Sequence, residues 1–179
     1  MRKINEIFYS LQGEGFYTGT AATFIRFSGC NLKCSFCDTT HEDGTMMTDE
    51  QIVAEAEKYP TRHVILTGGE PSLWIDEAFV ALLKAHGFYV QIETNGTRNL
   101  PNNIDWVTFS PKEKWVLKKS NELKVVYQGQ DLTEWAKFDC QHKYLQPCSC
   151  SNTNEVVDYI KQHPEWGLSV QLHKLIQIP

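Results

Sequence analysis

Cys30, Cys34 and Cys37 stand at C-x3-C-x2-C spacing, so half of the chain's six cysteines fall within eight residues. A tight loop with this spacing can aim three thiolates at one centre. A closed structural zinc site takes four protein ligands, and an ordinary [4Fe–4S] cluster also takes four. Three thiolates on a four-iron cluster leave one iron open, and an open position on a metal is where chemistry happens.

Other groups could serve such a centre. Gly68-Gly69-Glu70-Pro71 lets backbone come close to a ligand, and Glu70 adds a carboxylate acceptor, a combination suited to a ligand ammonium group. Taken alone it is equally a turn demanded by geometry. The same two readings apply to Gln12-Gly13-Glu14-Gly15, a glycine-bracketed glutamate that also fits a plain hairpin turn. Thr94 and Asn95 could bond ribose hydroxyls, or Asn95 could simply occupy the left-handed region of a turn. Lys112, in Ser110-Pro111-Lys112, could balance a carboxylate, although most lysines are merely solvated. Arg26 interrupts an apolar strand just before the cysteines. Such a residue pairs with a carboxylate, faces solvent, or meets an anionic substrate group. Cys140, Cys148 and Cys150 form C-x7-C-x-C, which matches no familiar metal spacing and reads as packed thiols.

These groups need a scaffold. Strand patterns cover residues 4–11, 22–29, 63–67, 88–92, 106–109 and 123–127, with a short one at 144–147 and a last one at 168–172. Helices are expected after Thr48, whose partner Gln51 completes a capping box, after Asp76, and from about Asn152. Pro60, Gly87 and Pro164 stop them. Residues 112–122 are charged and read as a mobile loop. Alternating strands and helices argue for βαβ units and a parallel sheet. About six core strands and three helices are too few for a complete eight-fold barrel, so the expected fold is α/β, a partial, open (β/α) barrel. Cys30, Gly68, Glu93 and Ser110 all follow apolar strands, and ligands in such sheets bind at the carboxyl ends. The four turns should therefore face one cavity.

Composition narrows the class. A chain of 179 residues, 41% hydrophobic and 22% charged, reads as a single globular domain spanning residues 1–179. A net charge of −5 gives no sign of a nucleic-acid partner. No apolar leader or membrane-length run is evident. The expectation is a cytoplasmic protein, where clustered cysteines bind metal or react rather than form disulfides.

The cysteine loop, Phe36 before its third cysteine, and Gly-Gly-Glu-Pro after the next strand resemble the radical S-adenosylmethionine (SAM) superfamily. Within it, the chain resembles the 7-carboxy-7-deazaguanine synthase family across almost its full length. The matching runs are Leu11-Gln12-Gly13-Glu14-Gly15, Phe24-Ile25-Arg26, Cys37-Asp38-Thr39, Glu93-Thr94-Asn95-Gly96-Thr97, Ser110-Pro111-Lys112, Leu145-Gln146-Pro147, and the tail Gln171-Leu172-His173-Lys174 ending at Pro179. The resemblance implies a ring contraction of 6-carboxy-5,6,7,8-tetrahydropterin to 7-carboxy-7-deazaguanine with loss of ammonia, a lyase step towards queuosine-type nucleosides. It implies a [4Fe–4S] cluster on Cys30, Cys34 and Cys37, SAM as a cofactor regenerated each turnover, and Mg2+ at Thr39. The implied SAM set is Phe36, Gly68, Gly69, Glu70, Thr94, Asn95, Ser110 and Lys112. The implied substrate set is Gln12, Glu14, Gly15, Arg26, His173 and Pro179, with Arg26 forking the substrate carboxylate. No acid–base catalyst is implied, because the radical does the work. A flavodoxin-like electron donor and a homodimer are implied partners. The chain departs from the family in having little between Cys37 and Thr48. Two other readings stay open: another radical SAM enzyme such as a glycyl-radical activase, and a non-catalytic iron–sulfur or zinc module for binding or electron transfer.

Overall fold

The computed structural model describes residues 1–112 and 114–179. Among the described residues nine strands form one open sheet, with β1 (Arg2–Leu11), β2 (Ala21–Phe27), β3 (Thr45–Met47), β4 (His63–Gly68), β5 (Tyr89–Thr94), β6 (Trp106–Phe109), β7 (Lys119–Tyr127), β8 (Asp139–Pro147) and β9 (Gly167–Leu168) in the order β3-β1-β2-β4-β5-β6-β7-β8-β9. From β2 onward the pairings are parallel, while β1 runs antiparallel to β2 and β3 antiparallel to β1. Six longer parallel strands, β2 and β4 to β8, form the expected core of a barrel that does not close.

The outer face is covered by α1 (Asp49–Ala56), α2 (Glu77–Ala85) and α4 (Thr153–Gln162), with short helices α3 (Thr133–Ala136) and α5 (Leu172–Ile176). Thr48 caps α1 through the predicted box: its hydroxyl accepts from Gln51 N, and the Gln51 side chain accepts from Thr48 N at 2.8 Å. Such a cap stabilises by about 1 kcal/mol. Asp76 caps α2 by accepting from Phe79 N at 2.9 Å. Ile52, Val53 and Ala56 of α1 and Phe79, Val80 and Leu83 of α2 close over Ile25, Phe27, Leu66 and Ile92 in one apolar layer. A second layer joins Leu123, Val125 and Leu145 of β7 and β8 to Val156 of α4 and to Phe109.

Among the described residues no helix lies between β5 and β6 or between β6 and β7. Leu100 and Ile104 of the first connection pack on the first layer, and Trp115 and Leu117 of the second connection pack on the other. These loops cover what helices cover elsewhere, so few helices suffice.

Three expectations need correcting. Residues 119–122, read as part of a mobile loop, begin β7, where Glu122 is buried and charge gave a false loop signal; residue 113 of that stretch lies outside the described residues. The strand at 144–147 is longer, since Asp139–Pro147 pairs with β7 along its whole length. The expected last strand at 168–172 is only Gly167–Leu168, and Leu172 starts α5, whose N-terminal amide donates to Gly13 O at 2.8 Å. Docking of the tail on the Gln12–Gly15 turn overrides the local strand propensity.

Candidate active site

The strand carboxyl ends open into a cavity of ≈ 460 Å³. Its rim is built by the turns after β2, β4, β5 and β6, as the chain's punctuation predicts. Residues 28–44 after β2 carry the three cysteines. Gly29 N donates to His41 O at 2.7 Å and closes this loop at its base, while Cys37 N donates to Cys34 O at 3.2 Å and turns the second and third cysteines together. Cys30, Cys34 and Cys37 all line the cavity, with Phe36 among them. Burial pushes the Cys30 thiol above its ordinary range, and Glu70 and the two neighbouring thiols add to this.

The turn after β4 meets the cysteine loop backbone to backbone. Glu70 N donates to Gly29 O at 2.9 Å and Gly69 N to Phe27 O at 3.1 Å. A Cβ on Gly69 would strike Gly29 O, so only glycine permits this approach. Glu70 is almost fully buried, and its carboxylate accepts from Ser72 N at 3.0 Å, Thr94 Oγ1 at 2.7 Å and Asn95 N at 2.8 Å. The carboxylate expected to receive a ligand ammonium thus ties the turns after β4 and β5 together. Asn95 Nδ2 then reaches Asn31 Oδ1 at 3.1 Å, which carries the tie on to the cysteine loop. After β6, Lys112 Nζ donates to Ser110 Oγ at 2.6 Å and lies 5.8 Å from the centre of the Phe36 ring. Burial lowers the Lys112 ammonium from its ordinary range, with Lys124 adding to the effect.

Across the cavity lies a charge network that the sequence motifs did not announce. Lys124, in the middle of β7 and 4% exposed, pairs with Glu14 Oε2 and sits 3.3 Å from Glu93 Oε1. Glu93 also accepts from Gln12 Nε2 at 3.2 Å and from Thr67 Oγ1 at 2.9 Å. Glu14 Oε1 accepts from Gln146 Nε2 at 3.1 Å and Gln171 Nε2 at 2.9 Å. Burial by itself would lower the Lys124 ammonium, but Glu14, Glu93 and Glu122 outweigh it and hold the group charged well above its usual range. Burial likewise pushes Glu93 up, and Lys124, Thr67 and Gln12 more than offset it, so Glu93 stays ionised.

Every residue expected at the site lines this cavity except Gly15. Gly15 adopts φ +66° and turns away: its N–H donates to Ser169 Oγ at 3.0 Å, and its Cα rests on the buried Glu122 carboxylate. Pro179 reaches the cavity at the end of the tail, where its carbonyl accepts from Ser10 Oγ at 2.7 Å. His173 of α5 sits against Gly13. Lys124, Gln146, Gln171 and Thr67 were given no role by the sequence reading, and Glu93 only a place at the cavity end of its strand. A signal existed for Lys124, a lone cation in the apolar run Leu123-Lys124-Val125-Val126, but the two glutamines carry no local mark. Cys140 packs in the outer layer with its thiol 3.6 Å from Phe138 O, and it is Ser149, rather than Cys148 or Cys150, that lines the cavity.

Residues 24–112 match the family model for the radical SAM superfamily. The 7-carboxy-7-deazaguanine synthase of Bacteroides thetaiotaomicron is 63% identical over 180 aligned residues, covering 99% of this chain and 99% of that protein. The chain belongs to the 7-carboxy-7-deazaguanine synthase family. The Burkholderia multivorans member is 41% identical, with 98% of both chains covered. The crystal structure of QueE from Escherichia coli superposes with a TM-score of 0.81 at 31% identity, covering 96% of this chain and 94% of that one. Radical SAM enzymes of this family use a [4Fe–4S] cluster and SAM, and the donor set fits them. Among the described residues no three His, Cys, Asp or Glu side chains gather tightly enough for a single ion, yet three thiols share one wall of an open cavity. Three thiolates are one fewer than a closed zinc site or a fully ligated four-iron cluster takes, which leaves one position to a second ligand. Among the described residues, no helix is long and apolar enough to cross a membrane.

Proposed function

We propose that this chain is a 7-carboxy-7-deazaguanine synthase that contracts 6-carboxy-5,6,7,8-tetrahydropterin to the deazaguanine acid with loss of ammonia. The observation that carries the reading is the joining, in one cavity, of the three-cysteine loop with the Glu14–Lys124–Glu93 network. The first is common to the superfamily. The second presents buried acceptors and glutamine amides to a flat, hydrogen-bonding ring. When bound, the cluster and SAM supply radical initiation.

The chain's own residues would then divide the remaining work. Gly69, Thr94, Ser110 and Lys112, on the wall nearest the cysteines, would hold SAM, with Phe36 beside Lys112. Arg26 would fork the substrate carboxylate, a geometry that guanidinium offers and ammonium does not. Glu14 would accept from the amino-pyrimidine edge, with Lys124 behind it as its ion-pair partner. His173 and Pro179 would close the site from the tail. Thr39 lines both this cavity and a smaller oxygen-rich hollow beside Asp38, Thr40 and Asp43. An oxygen donor such as the Thr39 hydroxyl suits Mg2+ completed by substrate and water. A single domain would carry all of this. Cys37, exposed at the outer edge of the loop, is where a flavodoxin-like donor would approach; a homodimer and a cytoplasmic location rest on family likeness.

The test is direct. Reconstituted anaerobically with iron and sulfide, and given SAM, reductant, Mg2+ and the carboxy-tetrahydropterin, the protein should release 7-carboxy-7-deazaguanine and ammonia in equal amounts. SAM cleavage without that product would overturn the substrate assignment and return the chain to the wider superfamily.

A further inference from the structure

Ile4 and Ile7 of β1 both pack on the helix-side apolar layer, although they are three residues apart. Regular strand alternation would send them to opposite faces. The register explains it: Ile4 pairs with Phe27, but Glu6 rather than Asn5 pairs with Arg26, so a β-bulge lies between Ile4 and Glu6. Two residues, Asn5 and Glu6, oppose one, and both line the hollow on the cavity side of the sheet. Bulges next to active sites re-aim side chains, and this one re-aims Glu6.

What Glu6 meets is Arg26. Glu6 Oε1 accepts from Arg26 Nε at 2.7 Å. The guanidinium lies 5.5 Å from the centre of the Phe8 ring, which stacks on Phe24 at 4.9 Å. Arg26 is thus held at its Nε edge by a carboxylate and on its face by an aromatic pair. Among the described residues its Nη1 and Nη2 atoms make no hydrogen bond, and Arg26 lines both the main cavity and the hollow. A guanidinium clamped through Nε presents its two terminal nitrogens as a fork for one further carboxylate.

We propose that Glu6 is a positioning residue which, delivered by the bulge, orients Arg26 so that its Nη fork faces the carboxylate of the substrate. This rests on the assignment of Arg26 to the substrate carboxylate made above. Removing the clamp should cost substrate binding, because the fork must then be ordered by the substrate itself. The clamp should matter only to ligands that carry the carboxylate.

The test compares equilibrium binding of the carboxylated tetrahydropterin and of tetrahydropterin without the carboxylate to reconstituted enzyme, alongside KM and kcat. Glu6→Ala should weaken binding of the carboxylated ligand and raise KM about tenfold, the size of one charge-assisted hydrogen bond. It should leave binding of the other ligand unchanged and kcat within about twofold. Glu6→Gln, which keeps an acceptor, should recover part of the loss. Arg26→Lys should show the same ligand selectivity with a larger loss. If Arg26→Lys weakens both ligands equally, the carboxylate assignment itself fails. If Arg26→Lys is selective but Glu6→Ala and Glu6→Gln bind both ligands as wild type does, the assignment stands and the positioning role of Glu6 is overturned. Equal weakening of both ligands by Glu6→Ala would also overturn it, by showing a general structural effect.

Discussion

The two walls of the cavity are built in opposite ways. On the wall formed by the turns after β2, β4 and β5, chemistry is concentrated in short runs: three cysteines in eight residues, then Gly-Gly-Glu-Pro, then Glu-Thr-Asn-Gly. These runs are loops, held by backbone contacts such as Glu70 N to Gly29 O and by the Glu70 carboxylate that joins the turns after β4 and β5. On the opposite wall each strand or tail segment contributes a single side chain: Lys124 from β7, Gln146 from β8, Gln171 before α5, and Glu14 from the first turn. The first wall can lose a ligand without disturbing the fold. The second cannot, because its groups are buried against one another, with Lys124 the counter-charge of Glu14 and Glu93 and the two glutamines donating to Glu14.

Substitution on each wall should therefore separate function from stability. Cys34→Ala should abolish the visible iron–sulfur absorbance after reconstitution and reduce turnover to background. Its denaturation midpoint without the cluster should match that of the wild-type apoprotein. Lys124→Met should do the reverse in stability. It leaves Glu14 and Glu93 facing each other without a cation, and breaking a buried pair in this way costs about 3–5 kcal/mol. Urea denaturation of the two apoproteins reads the difference, and similar midpoints would erase the contrast between the walls.

A finer contrast lies within the first turn. Gly15 and Gly19 both adopt positive φ, +66° and +87°. Alanine at either position pays about 1–2 kcal/mol for the left-handed conformation. At Gly19 a Cβ would meet nothing within 4 Å, whereas at Gly15 it would collide with the Glu122 carboxylate. Gly15→Ala should thus cost about 1–3 kcal/mol more than Gly19→Ala, and it should displace Glu14 and raise KM. Equal losses in stability and unchanged KM in both variants would show that the turn is indifferent to what lies beneath it.

The same division governs what could be read without a structure. The parallel core and the open barrel were legible because β4, β5 and β6 are short apolar runs ended by polar turns, and the capping box at Thr48 and Gln51 marked α1. The first wall was legible because contiguous residues make it. Lys124 and Glu122 were harder to place. They sit two apart on β7, Glu122 at the end of a charged stretch that reads as a mobile loop and Lys124 inside a run that reads as strand, and only the pairing of β7 with β6 and β8 turns their side chains inward. Gln146 and Gln171 become site residues through Glu14, 132 and 157 positions away, a distance no local pattern spans. The bulge at Asn5 left a trace in the spacing of Ile4 and Ile7, visible once both are known to face the helices.

The smallest expected effect concerns Glu122, which underlies the second wall. It is 1% exposed; its Oε2 accepts from Phe16 N at 3.2 Å, while Oε1 is buried without a hydrogen-bond partner among the described residues. Burial pushes its carboxyl above the usual carboxylate range, and Lys124 opposes this only in part. The sign follows from linkage. An acid whose folded-state pKa is raised contributes fully below its unfolded pKa, and that contribution fades as pH rises through the folded value, because ionising it inside costs more than in water. Between the ordinary carboxylate range and the raised value, wild type should lose stability relative to Glu122→Gln, with a slope of at most about 1.4 kcal/mol per pH unit. Denaturation of the two apoproteins across mildly acidic to neutral pH measures it. A flat difference would mean that Lys124 keeps Glu122 ionised in the folded protein throughout. The cation would then serve three carboxylates, and Lys124→Met should become the more destabilising for it.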